Sequence, residues 1–342
     1  MSRRVFIIAE AGVNHNGRLD LAKALVEAAH RSGVDAVKFQ TFKTEKILTR
    51  EVGIADYQRQ NLGKVESQFD MVKRLELSYA DFSDLQAYAR NLGILFLSTP
   101  DESESLDFLC DNLDLPWLKV GSGEITNLPF IKQIAAKRRP TILSTGMCDL
   151  GEVEQAITIL REGGCPELVV LHCTTNYPCP PEEVNLHAMN TLRNAFKVRV
   201  GYSDHTLGIE VPIAAVALGA EIIEKHFTLD KSMEGPDHAA SLDPGEMTEM
   251  VRCIRRIEAA LGDGIKRPNP SEQTTKLLIR RHIVSLRQLP AGSILSQEDL
   301  ILKRSSNGIE PAFLSIVHGR KLLKPLEADS PLTWAHLLEG GI

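Results

Sequence analysis

The chain has 342 residues, of which 43% are hydrophobic and 25% charged, and its formal net charge is −6 at pH 7. This length allows one large domain and one small domain. The basic runs are short, as at 137–139, and the N-terminal apolar run 5–9 is far below the roughly 18 residues of a membrane span, so we predict neither a nucleic-acid partner nor membrane insertion. Six dispersed cysteines without a Cys-x-x-Cys pair predict a reduced, cytoplasmic protein.

Short β-branched runs alternate with longer helical stretches along most of the chain. Most of these runs are continuously apolar, which is typical of parallel strands buried on both faces. The predicted strands are Val5–Ala9, Ala36–Thr41, Ile94–Thr99, Trp117–Ser122, Pro140–Thr145, Leu168–Thr174, Val198–Ser203 and Glu221–Phe227.

Amphipathic segments between these runs predict helices that each cover one side of a sheet. Examples are Leu19–Arg31, Tyr79–Leu92, Glu152–Gly163 and Ile209–Leu218. Asp149 and Glu152 have the spacing of a capping box, which predicts a helix start. Gly33 and Gly93 stand where a left-handed helix end is expected.

Eight β-then-α units within residues 1–265 predict a (β/α)8 TIM barrel. A doubly wound open sheet is the alternative, but no GxGxxG follows the first strand, as a dinucleotide-binding fold requires. Residues 266–281 carry prolines and polar residues and predict a linker, and the short strand-like pieces of 282–342 predict a compact second domain.

Polar residues cluster at the carboxyl ends of the predicted strands, where active sites of such barrels lie. A single charged residue there is as easily a salt bridge at the rim. Because nearly every strand contributes, we predict catalysis at this end, with the following candidates: Glu10, Lys38, Gln40, Ser98, Thr99, Lys119, Ser122, Glu124, Ser144, Thr145, His172, Thr174, Thr175, Asn176, Tyr177, Ser203, Asp204, His205, Glu224 and His226.

His205 and His226 end neighbouring predicted strands. Two imidazoles there can share one divalent ion and leave coordination positions for water and substrate. The alternative is that each is a buried, hydrogen-bonded histidine.

Lys38 and Lys119 accompany several hydroxyl groups and the glycine-containing turns 121–123 and 144–146. Cations, hydroxyls and backbone N–H groups together favour a small, highly charged phosphate or carboxylate ligand. Lysines also form Schiff bases. The sixth predicted strand, however, has no lysine where a Schiff-base aldolase of this fold holds one, so anion binding is favoured.

Several motifs resemble the sialic acid synthase family, which includes N-acetylneuraminate, legionaminate and pseudaminate synthases. The likeness runs in order through essentially the whole chain, and 282–342 resembles the family's antifreeze-like (SAF) domain. The motifs are AEAGVNHNG at 9–17, KFQT at 38–41, SGE at 122–124, STGM at 144–147, GYSDHT at 201–206 and EKHF at 224–227.

The resemblance implies a domain-swapped homodimer that joins phosphoenolpyruvate to an N-acylated amino sugar and releases phosphate. It implies a manganese or magnesium ion on His205 and His226. It places Arg304 in the neighbouring subunit's sugar site. It assigns phosphoenolpyruvate to Lys38, Lys119, Ser122, Ser144 and Ser203. It places near the sugar or the reacting centre Glu10, Gln40, Glu124, Tyr177 and Asp237.

The expected chemistry is attack of C3 of phosphoenolpyruvate on the aldehyde of an open-chain sugar, followed by hydration at C2 and loss of phosphate. Lys38 and Lys119 are also expected to be catalytic residues. Proton transfer requires a carboxylate, for which Glu10 and Glu124 are both candidates.

The exact sugar stays open between an N-acetylneuraminate and an N,N'-diacetyllegionaminate product, with pseudaminate as a further alternative. Thr175–Pro178, beside the candidate Thr174, and Ala55–Gln58 look closer to the legionaminate branch, which takes a 6-deoxy diacetamido sugar. Outside the family, a metal-dependent hydrolase would need a His-x-His pair where Glu10 stands. A non-catalytic alternative makes the small domain an ice- or carbohydrate-binding module.

Overall fold

A computed structural model describes residues 4–51 and 67–338, so the motif at 55–58 lies outside the described residues. The chain forms two compact units that divide between Asp263 and Gly264. All six cysteines are free. Among the described helices, none combines the length and the apolar character needed to cross a bilayer.

The first unit contains eight parallel strands. In hydrogen-bonding order they run β3-β2-β1-β8-β7-β6-β5-β4, and the two terminal strands of this order lie against each other. The predicted (β/α)8 barrel is therefore confirmed. The strands are β1 Phe6–Gly12, β2 Ala36–Thr41, β3 Leu95–Pro100, β4 Leu118–Val120, β5 Thr141–Ser144, β6 Leu168–His172, β7 Arg199–Asp204 and β8 Ile222–His226.

Helices alternate with these strands. The Asp149–Glu152 capping box is present, and Gly93 ends its helix in the left-handed conformation with φ of 79°. The described helices of this unit are Leu19–Arg31, Thr44–Ile47, Gln68–Leu75, Tyr79–Leu92, Ser103–Asp107, Leu128–Ala136, Leu150–Glu162, Ala188–Phe196, Glu210–Ala217 and Pro244–Leu261.

The barrel interior changes from apolar to polar along the strand direction. Alternate residues of each strand point to the axis. The lower layer is a dry cluster that includes Ile8, Leu97, Ile142, Val169 and Ile222. The next inward-facing positions, two residues further along, are polar on β1, β3, β5 and β8. Apolar side chains fill the barrel only toward the amino ends of the strands. The carboxyl end is therefore open to ligands.

Strand β1 is longer than the predicted Val5–Ala9. It extends to Gly12 because pairing with β2 continues through an irregularity between Glu10 and Gly12. Strand β4 is shorter than predicted, since the chain after Val120 turns into a 3₁₀ segment at Ser122–Glu124.

The second unit contains an antiparallel pair, β9 Arg281–Ser285 and β10 Leu300–Arg304, and a short helix at Leu314–Val317. Its own core includes Ile283, Leu295, Val317, Leu326 and Leu332. The segment interpreted as a linker contains a helix at Gln273–Ile279, which follows a capping box formed by Asn269 and Glu272.

Candidate active site

A cavity of about 180 Å³ opens inside the barrel at the carboxyl ends of the strands, and we call it the reaction cavity. Larger cavities of about 410 and 610 Å³ lie beside the outer helices, so convergence of charged groups identifies the site better than volume does. The reaction cavity brings together Glu10, Lys38, Gln40, Lys119, Ser122, Ser144, Thr175, Tyr177, Ser203, His205 and His226.

Glu10 and Lys38 are paired across β1 and β2, where they are register partners. Lys38 Nζ lies 2.7 Å from Glu10 Oε2 and donates to Thr99 Oγ1 at 2.9 Å. Burial raises the pKa of Glu10 to about 7, although Lys38 opposes this and Glu224 adds to it. Burial disfavours charge on Lys38, but Glu10 and Glu224 together raise its pKa. Glu10 can therefore exchange a proton near neutral pH while Lys38 stays cationic.

Lys119 and Glu224 form the opposite side of the same charged layer. Lys119 Nζ donates to Ser144 Oγ at 2.7 Å and lies 3.6 Å from Glu224 Oε1, which also accepts from Ser203 Oγ at 3.1 Å. Burial lowers the pKa of Lys119. Burial opposes ionisation of Glu224, yet Lys119 and Lys38 hold its pKa below the ordinary value. Glu224 lies between the two lysines, so when Glu10 is protonated the layer keeps a net positive charge for an anion.

Ser122, Gly146 and Thr175 make a narrow polar wall beside these lysines. The Gly146 N–H donates to Ser122 Oγ at 2.9 Å. A Cβ on Gly146 would overlap the Thr175 hydroxyl, so only glycine fits there. Thr175 Oγ1 is buried and has no hydrogen-bond partner in the described part of the chain. This wall offers hydroxyl groups to an anion held by the lysines.

His205 and His226 face each other with ring centroids 5.4 Å apart, and the Tyr177 ring packs 4.1 Å from that of His205. His205 Nδ1 donates to the Thr174 carbonyl at 2.6 Å, which leaves Nε2 with a lone pair. Burial lowers the pKa of His205 to about 4 and that of His226 well below its usual range. Both rings are therefore neutral, as metal ligands must be.

These histidines fit an open metal site. His226 Nδ1 is buried and lacks a hydrogen-bond partner among residues 4–51 and 67–338. In the same residues, no group of three or more His, Cys, Asp or Glu side chains is placed to hold an ion. A divalent ion here would thus take its remaining ligands from water and substrate, which is the pattern of catalytic rather than structural sites.

A fully buried ion pair supports the two histidine-bearing strand ends. Lys225 Nζ lies 2.6 Å from Asp204 Oδ2, and Thr206 Oγ1 donates to Asp204 Oδ1 at 2.9 Å. Asp204 and Lys225 alternate with His205 and His226, so they lie on the outer face of the strands. The pair joins the ends of β7 and β8, and neither residue is among those that line the reaction cavity. The strand-end position of Asp204 was a signal for the site, but the pairing with Lys225 was not predictable from spacing.

Two predicted residues turn away from the reaction cavity. Glu124 Oε2 accepts from Asn127 Nδ2 at 2.7 Å, and Glu124 is not among the described lining residues. The Thr174 hydroxyl donates to the Glu183 carbonyl at 3.1 Å. The contact of Thr174 with the site is its backbone carbonyl, which accepts from His205 Nδ1. Both follow strand ends, where alternation no longer determines side-chain direction.

Asp237 and Arg304 are not among the residues that line the reaction cavity. Arg304 is exposed at the end of β10 in the second unit. Asp237 lines a neighbouring cavity of about 230 Å³, which we call the side cavity; it shares Gln40, Asp101, Tyr177 and His226 with the reaction cavity.

Asp101 is a site residue that the sequence analysis missed, although it stands directly after β3. It lines both cavities. Burial, reinforced by Glu124, raises the pKa of Asp101 to about 7, and burial raises that of Asp237 to about 6. In the described part of the chain, neither carboxylate has a hydrogen bond or ion pair.

The loop after β1 anchors the segment that carries Asp237. Asn14 Nδ2 donates to the Phe227 carbonyl and to Ser241 Oγ, each at 2.9 Å. Ser241 Oγ in turn donates to the Asp237 carbonyl at 2.7 Å. The Asn14–Gly17 loop therefore does more than turn the chain, because it holds one wall of the side cavity.

Known proteins resemble the chain over nearly its full length. Residues 25–266 match the model of the NeuB family, and residues 280–338 match that of the SAF domain. The chain is 50% identical over 340 residues to the N,N'-diacetyllegionaminic acid synthase of Legionella pneumophila, covering 98% of this chain and 95% of that protein. It is 36% identical over 331 residues to the pseudaminic acid synthase of Campylobacter jejuni, covering 96% of each.

Among solved structures, the chain resembles the N-acetylneuraminic acid (sialic acid) synthetase of Leptospira borgpetersenii, which was crystallised in complex with citrate. The two share 34% sequence identity with a TM-score of 0.70, over 80% of this chain and 90% of that chain.

Proposed function

Because the chain belongs to the NeuB family and is a nonulosonic acid synthase that uses phosphoenolpyruvate, we propose that its product is N,N'-diacetyllegionaminate. The second substrate is then open-chain 2,4-diacetamido-2,4,6-trideoxymannose. We choose this product because the chain is more similar to a legionaminic acid synthase, with 50% sequence identity, than to a pseudaminic acid synthase, with 36%. The observation that carries the site assignment is the placement of two buried lysines opposite two neutral histidines in one cavity.

Phosphoenolpyruvate binds among Lys38, Lys119, Ser122, Ser144 and Ser203 in this proposal. Both lysines are buried, so their attraction for an anion is weakly screened by solvent. Ser144 and Ser203 already hydrogen-bond within the charged layer and can turn their hydroxyls to the ligand. The Ser122–Gly146 wall limits the space on one side.

His205 and His226 would hold a divalent ion, manganese or magnesium. When bound, the ion supplies a Lewis acid for the aldehyde oxygen of the sugar. The protein's own part is to keep both imidazoles neutral by burial and to fix His205 through the Thr174 carbonyl.

The bond changes balance without a redox partner. C3 of phosphoenolpyruvate forms a bond to the aldehyde carbon, whose oxygen takes up a proton and becomes a hydroxyl. Water adds to the cationic C2 and loses a proton. The tetrahedral intermediate then breaks its C–O bond to phosphate, the C2 hydroxyl passes its proton to the departing phosphate, and a 2-keto acid forms.

Glu10, rather than Glu124, is the proton-transfer residue in this proposal. It lines the reaction cavity, Gln40 Nε2 donates to it at 3.3 Å, and its raised pKa of about 7 suits both gain and loss of a proton. Glu124 instead pairs with Asn127.

We also propose a cytoplasmic, domain-swapped homodimer in which Arg304 of one subunit reaches the sugar in the other subunit's site. Its exposure leaves the guanidinium free to do so. Light scattering should give twice the mass of one chain, and Arg304→Ala should raise KM for the sugar without changing that mass. A monomeric active enzyme would contradict the proposal.

Phosphate release tests the proposed function. Metal-reconstituted enzyme is incubated with phosphoenolpyruvate and either 2,4-diacetamido-2,4,6-trideoxymannose or N-acetylmannosamine, and the product mass is determined. We expect rapid release with the diacetamido sugar and a product with the mass of N,N'-diacetyllegionaminate. Preference for N-acetylmannosamine would identify an N-acetylneuraminate synthase instead. No release with either sugar, despite bound metal, would overturn the assignment.

A further inference from the structure

The side cavity adjoins the reaction cavity but contains a different set of groups. Its polar groups include Gln68, Asp101 and Asp237, and much of its remaining wall is apolar. We propose that the side cavity binds the acylamino group that the diacetamido sugar has and N-acetylmannosamine lacks. The inference rests on the proposed function and identifies the residues that select the sugar.

Apart from the His226 imidazole, which it shares with the reaction cavity, the side cavity presents acceptors that have no described partner. Gln68 Oε1 is buried and has no hydrogen-bond partner among the described residues. The carboxylates of Asp101 and Asp237, which also line this cavity, have no hydrogen bond or ion pair among the described residues. A buried acceptor without a donor is costly, so such a site favours a ligand that brings an N–H group.

The rest of the side cavity favours a methyl group. A small apolar cluster, separate from the main barrel core, forms this wall from Val13, Phe42, Met71 and Leu75, with Ile47 and Val72 packed against it. Side chains of this kind bind the methyl of an acetyl group and offer nothing to a hydroxyl. An acylamino group satisfies both halves of the cavity, because it joins an N–H donor to an apolar end.

Size and position agree with this occupant. The cavity volume of about 230 Å³ is several times the roughly 30 Å³ of one water molecule, and hence far more than a hydroxyl group needs. It meets the reaction cavity at Gln40, Asp101, Tyr177 and His226. A sugar whose aldehyde lies at the histidines can therefore extend a substituent into the side cavity.

Two variants test the inference by independent means. Gln68→Met removes the acceptor and keeps the length of the side chain, whereas Val72→Phe fills part of the cavity from a half-buried position. Gln133→Met, at an exposed helix position outside both cavities, is the matched control. Thermal unfolding of all three confirms that each folds.

The readout is competitive inhibition by the reduced, unreactive alcohols of the two sugars, measured in the phosphate-release assay. The wild type should bind the diacetamido alcohol at least tenfold more tightly than the N-acetylmannosamine alcohol. Gln68→Met should reduce that preference about tenfold, as expected for loss of one buried hydrogen bond, and Val72→Phe should abolish it. Gln133→Met should leave it unchanged.

A working enzyme whose preference responds to neither variant would overturn the inference alone. Equal weakening of both alcohols would also overturn it, because a general disturbance of the site does not discriminate between them. Absence of phosphate release by the wild type with both sugars would instead overturn the proposed function, and the inference with it.

Discussion

The reaction cavity and the side cavity share a boundary and differ in almost every physical respect. In the reaction cavity, Lys38 and Lys119 are paired with Glu10 and Glu224 on the barrel strands. In the side cavity, the carboxylates of Asp101 and Asp237 have no partner within residues 4–51 and 67–338, and helix Gln68–Leu75 supplies part of the wall. In our proposals, the barrel therefore places reaction chemistry on its strands and substrate selection on the loops and helices that connect them.

The difference has a structural cause. Strand residues such as Glu10 and Lys38 are held opposite each other by register, which gives charged groups the fixed geometry that catalysis requires. Residues beyond the strand ends are not bound by register, so their positions can differ among relatives that share the same chemistry.

Removal of the divalent ion should have the largest effect, because it takes the Lewis acid from the reaction cavity. Chelation should lower phosphate release by about 10³-fold, since a Lewis acid contributes several kcal/mol to such a reaction. Metal content measured by mass spectrometry should fall in His226→Gln and persist in His187→Gln, whose position is exposed. Full activity after chelation would show that the histidines are structural.

Glu10→Gln should have the second-largest effect, with kcat reduced by about 10²-fold, because it removes the proton-transfer group of the reaction cavity. Glu124→Gln is the matched control and should cost far less, since Glu124 is paired with Asn127 outside the cavity. Steady-state phosphate release measures both. An equal or greater loss in Glu124→Gln would reverse the assignment.

Asp237→Asn, a change in the side cavity, should alter the free energy of unfolding in a pH-dependent way. Burial raises the pKa of Asp237 to about 6 from 3.8, so the folded protein binds the proton more tightly and loses stability as pH rises through this window. At pH 7 the variant should be more stable by about 2–3 kcal/mol, while KM for the sugar rises.

Thermal unfolding at pH 4 and pH 7 measures this effect, and the gain should be small at pH 4. A loss of stability in Asp237→Asn at pH 7 would mean that the carboxylate has a stabilising partner.

Asn14→Ala should have the smallest effect, because Asn14 supports the side cavity indirectly, through hydrogen bonds to Ser241 and to the backbone of Phe227. We expect KM for the sugar to rise by about three- to tenfold, with KM for phosphoenolpyruvate unchanged. Asn14→Ser, which keeps one donor, should recover part of the loss. A matching rise in both KM values would indicate general disorder of the barrel end.

Sequence patterns predicted the strands and the reaction cavity far better than the side cavity. Lys38 and Gln40 were placed on one face because alternation along a strand determines it. Glu124 and Thr174 come after strand ends, and nothing in their spacing showed that they turn to Asn127 and Glu183.

The side cavity was not predicted, because most of its lining residues also lie outside the strands. Val13, Gln68, Asp101 and Asp237 come from four separate connections, and only the folded chain brings them together. Gln68 carries no motif, and its role depends on the absence of a partner, which no sequence pattern expresses.

In our two central proposals, the reaction cavity binds phosphoenolpyruvate and the side cavity binds an acylamino group of the sugar. The most direct test is a crystal structure of the metal-loaded enzyme with phosphoenolpyruvate and the reduced diacetamido sugar. We predict the phosphate beside Lys38 and Lys119, and the N–H of one acylamino group within hydrogen-bond distance of Gln68 Oε1. An acylamino group that points to solvent, with the side cavity filled only by water, would contradict the account.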